Sequence, residues 1–89
     1  MSDQTQQIKI KLCDMTSELL KDVQYIILEN LRKHSNEKDI AYYIKRELDK
    51  RHLGPWHCIV GKNFGLFVTH EEGYYLQAIK GQITVVVWK

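Results

Sequence analysis

With 89 residues and a formal net charge of +2, the chain makes one small domain, residues 1–89, whose charge excludes two large classes of function. Lys and Arg are interleaved with Asp and Glu instead of clustered, and no stretch approaches the roughly 18 apolar residues of a membrane span, so neither nucleic-acid binding nor membrane insertion is expected. A hydrophobic content of 44% with nine Phe, Trp and Tyr residues excludes disorder, yet a domain this small buries only about two thirds of its unfolded surface, so association would be a natural source of stability.

The polar start Ser2-Asp3-Gln4-Thr5-Gln6-Gln7 lacks the apolar core of a signal peptide, and residues 1–7 are expected to be flexible. Residues 8 to 13 then alternate, with Ile8, Ile10 and Leu12 against Lys9, Lys11 and Cys13, the period of a strand with one buried face. Asp14 or Thr16 can accept hydrogen bonds from the free amides of a helix start. From Ser17 the period changes: Leu19, Leu20, Val23, Ile26, Ile27 and Leu31 fall on one side of an amphipathic helix, opposite Glu18, Lys21, Asp22, Glu29, Arg32 and Lys33. Asn36 offers a second cap, with Glu37 in the first turn where negative charge suits the helix dipole. Ile40, Ala41, Ile44 and Leu48 mark the apolar stripe of a second helix, which Gly54-Pro55 stops.

The remaining third reads as β throughout. Strands are expected near residues 56 to 61, 64 to 70, 74 to 79 and 83 to 88, separated by Gly61-Lys62-Asn63, Glu71-Glu72-Gly73 and Lys80-Gly81-Gln82. The fold class is therefore α+β: two amphipathic helices packed on an antiparallel sheet of about five strands. Ile83 to Trp88 is apolar on both faces for part of its length, so one face can take the helices and the other needs a partner. Cys13 and Cys58 each sit in an apolar pattern and are expected as buried free thiols in a reducing compartment, which places the protein inside the cell.

Catalytic readings fail in turn. Gly54 and Gly61 flank six residues, not the four of a phosphate-binding loop, and Asn63 stands where the Mg²⁺-binding hydroxyl should be. His57 and Cys58 are adjacent on a strand and point to opposite faces, so they cannot act as base and thiolate. His34, His52, His57, His70 and the two cysteines show no metal-ligand spacing, and no cofactor is expected. His57 stands out in an otherwise apolar strand. It reads either as a histidine satisfied by one backbone hydrogen bond or as a pH switch buried where two chains meet.

Residues 36 to 70 resemble the eight-kilodalton dynein light chains, through Asn36-Glu37-Lys38-Asp39-Ile40-Ala41, Ile44-Lys45, Asp49-Lys50, Trp56-His57-Cys58-Ile59-Val60-Gly61-Lys62-Asn63-Phe64-Gly65 and Val68-Thr69-His70-Glu71. A weaker similarity covers Ile8-Lys9, Asp14-Met15 and the first helix, and again Gly81-Gln82. The resemblance implies a symmetric homodimer in which the strand at 64–70 crosses into the other subunit's sheet, with His57, Lys45, Phe64, Leu66 and Phe67 at the interface. It also implies two grooves where an extended partner segment adds a strand, the mode known as β-augmentation. Asn63, Phe64, Gly65, Phe67, Val68, Thr69 and His70, with Tyr75 and Gln77, would meet that segment. Glu37 and Lys38 of the other subunit would receive a glutamine of a Thr-Gln-Thr-like motif. The implied partners are a dynein intermediate chain and other proteins carrying such disordered segments. The implied setting is the cytoplasm and cytoskeleton, with the axoneme as a specialised alternative, and the implied role is non-catalytic. Phe67, Gln77 and Ile79 stand where the family has tyrosines, which points to an altered peptide preference.

Overall fold

The computed structural model describes residues 8–89; the expected flexible start, residues 1–7, lies outside the described residues. In chain order the elements are β1 (Lys9–Asp14), α1 (Ser17–Lys33), α2 (Glu37–His52), β2 (His57–Gly61), β3 (Tyr75–Lys80) and β4 (Ile83–Trp88). The strands form one antiparallel sheet in the order β1-β3-β4-β2, with the longest apolar strand, β4, inside it. Among the described residues the sheet thus has four strands, and the expected fifth, at 64–70, forms no ladder.

Both helices begin where a side chain can replace the missing helical acceptor. The Thr16 hydroxyl accepts from the Leu19 amide at 3.2 Å and the Asn36 carbonyl from the Asp39 amide at 3.2 Å. Asp14, the other candidate cap, instead accepts from the Gly73 amide at 2.9 Å and ties the end of β1 to the loop before β3. The helices then bury the predicted stripes, Val23, Ile26 and Ile27 from α1 and Ile40, Ile44 and Leu48 from α2, against Leu76, Ala78, Val85 and Val87 of the sheet. Each such fully buried aliphatic chain contributes about 1.5–3 kcal/mol relative to an exposed one. Between the helices, Asp22 pairs with Arg51 at 3.2 Å and with His52 at 2.6 Å.

Trp56, just before β2, is fully buried in this core, edge-on to Tyr74 with ring centroids 5.9 Å apart. Asp49 fixes its backbone: the carboxylate accepts from the Trp56 amide at 2.7 Å and pairs with Lys45 one helical turn back. Burial disfavours the charged Asp49. The Lys45 hydrogen bond and the Trp56 amide overcome that penalty and hold its pKa below the ordinary carboxylate value.

Two sequence expectations are corrected. β1 is exposed along its whole length, with Leu12 58% exposed, because a register shift between Ile10 and Leu12 breaks its alternation. Ile10 lies opposite buried Ala78, whereas Leu12 lies opposite Gln77 on the other face. Cys13, on this edge strand, is exposed instead of buried. Cys58 is partly buried: it packs against the core opposite Val87, and burial pushes its thiol up to about 12.

Candidate functional site

The sheet face away from the helices follows from the register. His57, Trp88 and Tyr75 lie side by side across β2, β4 and β3, and the next row is Ile59, Val86 and Gln77. Val86 is fully buried although it stands outside the helix-packed core, and the His57 ring lies 5.4 Å from that of Trp88 while remaining exposed. Among the described residues β2 pairs only with β4, so its outer edge carries unpaired amides and carbonyls.

From Gly61 the chain leaves β2 at a close approach: a Cβ on Gly61 would lie 3.1 Å from the Phe64 ring. Residues 64–70 belong to no helix or strand, yet they keep a two-residue alternation. Phe64, Leu66 and Val68 are partly buried, whereas Gly65, Phe67 and Thr69 are exposed, Phe67 at 96%. Leu66, Phe67, Val68 and His70 line a cleft of about 340 Å³ with Leu12, Asp14 and Tyr75. The His70 ring stacks on Tyr75 at 4.8 Å.

The structure therefore brings Phe67, Val68, His70 and Tyr75 together, with Gln77 one row further along β3. Asn63 and Gly65 are exposed on the approach to this cleft, and Gly65 has open space where a side chain would stand. Glu37 and Lys38 are exposed at the start of α2, and Glu37 faces a different cleft, so one chain does not join them to residues 66–70. Lys45 is half-exposed with its ammonium engaged by Asp49. Sequence marks Asp14 only as a candidate helix cap and Asp49 only within the family resemblance; their partners, the Gly73 and Trp56 amides, are not legible there because they depend on contacts made only in the folded chain.

His57 faces away from Cys58, whose thiol is protonated at neutral pH, and among the described residues no group of three His, Cys, Asp or Glu side chains is placed to hold a metal. No helix of the described residues is long and apolar enough to cross a membrane.

This arrangement of two helices on a sheet with a long, unpaired extended segment defines a class of small α+β domain. A family model, dynein light chain type 1, matches residues 7–89, and the chain belongs to the dynein light chain family. It is 41% identical over 81 residues to a protein of Emericella nidulans called "Dynein light chain, cytoplasmic", covering 91% of this chain and 86% of that one. Its fold is similar to the dynein light chain-like domain of a Fasciola hepatica calcium binding protein, with a TM-score of 0.85 at 18% identity over 100% of this chain and 96% of that domain. It is also similar to the corresponding domain of CsTAL3, with a TM-score of 0.74 at 13% identity over 99% and 96% of the two chains.

Proposed function

We propose that the chain is a non-catalytic light chain of a cytoplasmic dynein motor that dimerises and holds extended partner segments by β-augmentation. The observation that carries this reading is the state of residues 64–70: an alternating, aromatic segment without a ladder, in a chain whose β2 edge is open. Exchange of that segment between two copies would satisfy both. The exchanged strand then offers its free edge, with Gly65 allowing close backbone approach, to a Thr-Gln-Thr-like segment of a dynein intermediate chain or another disordered partner. Glu37 and Lys38 would reach this groove from the second copy. With two grooves on one dimer, binding the first segment raises the effective concentration of the second, which strengthens binding ~10²-fold or more when the partner is itself paired. The Emericella relative's name supports a cytoplasmic setting.

Sedimentation equilibrium with and without a Thr-Gln-Thr peptide tests this. A dimer taking up two peptides at neutral pH is expected, and a monomer would sink the exchange. Gly65→Asp should abolish peptide uptake while Lys62→Ala weakens it far less; equal loss in both would argue against the groove. His57→Lys, which would place a fixed charge in the proposed interface, should dissociate the dimer at neutral pH.

The substitutions Phe67, Gln77 and Ile79 favour a second reading, in which the groove has drifted and the chain serves one fixed partner in a specialised dynein, such as that of an axoneme. A dimer that ignores the peptide, and that recovers only motor subunits in a pull-down, would select it.

A further inference from the structure

Apart from the 66–70 cleft there is a second concavity, of whose lining residues the proposed groove uses only Glu37. Two clefts, of about 690 and 580 Å³, share Leu31, Arg32 and Lys80 and so run into one another between the end of α1 and the β3–β4 turn. Leu28, Leu31, Ile40 and Ile83 supply apolar lining, while Arg32, Lys33, Lys62 and Lys80 supply cations. Glu37 is the only carboxylate lining either cleft, so the concavity is far more basic than a chain of net charge +2 would suggest.

The cations are incompletely neutralised. Arg32 and Lys33 share one acidic partner, Glu29, at 2.7 and 3.9 Å, and neither Lys62 nor Lys80 has an ion-pair partner among the described residues. Lys80 and Ile83 are cross-strand partners flanking the turn, so an unpaired ammonium and an aliphatic side chain are held at fixed spacing by the hairpin. Like charges gathered over a low-dielectric wall concentrate field and attract a complementary ligand.

We infer that this concavity is a docking site for a short acidic peptide segment anchored by an aliphatic side chain. The anchor would sit against Leu28, Leu31 and Ile83, with the carboxylates at Arg32 and Lys80. Glu37 repels acidic residues at the far end and so sets the segment's direction. Single-stranded nucleic acid fits less well, because it binds through stacking platforms, and the one ring lining the concavity, His34, is already stacked on Tyr43 at 4.5 Å. A concave, partly apolar site also suits a chain segment better than a lipid surface. The inference does not rest on the groove reading: none of residues 63–70 takes part, and Glu37, which that reading also uses, belongs neither to the binding cations nor to the apolar anchor site.

The test is fluorescence anisotropy of the full chain with a labelled peptide of Glu-Glu-Leu repeats, beside Glu-Glu-Ser and Lys-Lys-Leu controls and phosphatidylserine vesicles. Binding confined to the Glu-Glu-Leu peptide is expected. It should weaken at least ~10-fold in Arg32→Glu/Lys80→Glu and severalfold on raising the salt, in keeping with screened charges. Lys80→Glu alone, with an unchanged circular dichroism spectrum, guards against misfolding of the double variant. Chemical-shift changes should centre on Leu28, Leu31, Lys80 and Ile83. No binding, equal binding of the Ser control, indifference to charge reversal, shifts confined to residues 63–70, or binding to vesicles alone would each overturn the inference.

Discussion

Asp49 spans the junction between the second helix and the sheet, holding Lys45 with one oxygen and the Trp56 amide with the other. Because its folded pKa lies below the unfolded value of about 3.9, the carboxylate adds stability above that value and loses it as the pH falls through its folded pKa. Asp49→Asn, which mimics the protonated acid, should lower stability at neutral pH by about 1–2 kcal/mol in urea unfolding. The difference from the parent should vanish in acid; an equal deficit at both pH values would show that charge is not the cause. The two thiols separate by environment in the same way. Exposed Cys13 should react with a disulfide reagent at once, and Cys58, with its thiol pushed up to about 12, only as the domain opens. The alternation around Cys13 suggested burial, but sequence shows only that a residue alternates, whereas the fold decides whether anything packs above that face.

At the scale of elements, the helices were the most legible part of the chain. Their stripes require only an intact period, and Val23, Ile26, Ile27, Ile40, Ile44 and Leu48 are buried as that period demands. Three of the four later strands lie within one residue of their expected ranges, whereas the fourth, expected at 64–70, forms no ladder. β1 was harder to read, since a bulge between Ile10 and Leu12 leaves no mark on a short alternating string. The turn between β3 and β4 was legible through Gly81, which has a φ of +63° at the first central position of a two-residue hairpin, where glycine is preferred. Gly81→Ala meets no neighbour but must hold that φ, so it should cost about 1 kcal/mol in thermal or urea unfolding, with the fold unchanged by circular dichroism. A neutral result would mean that the turn relaxes freely.

For the whole molecule, the candidate site was legible as a string and not as a shape. Residues 64–70 carry the pattern of a strand, but a strand is a relation between two segments, and among the described residues no second segment pairs with them. Glu37 and Lys38 likewise stand apart from the cleft they would complete. If a second copy completes the molecule as proposed, its stability is tied to its own concentration. The melting temperature should therefore rise by several degrees with each large increase in protein concentration. A concentration-independent melt would describe a self-sufficient monomer.

The two tryptophans stand on opposite sides of a single sheet. Trp56 is sealed in the helix-packed core, and Trp88 lies next to His57 on the face that a second copy would cover. The chain therefore carries two built-in optical probes of different events. Emission from Trp56 follows the melting of the interior, while emission from Trp88 follows the wetting or drying of the outer face. Trp88→Phe would silence the second, so that assembly and unfolding can be watched as separate colours in one cuvette.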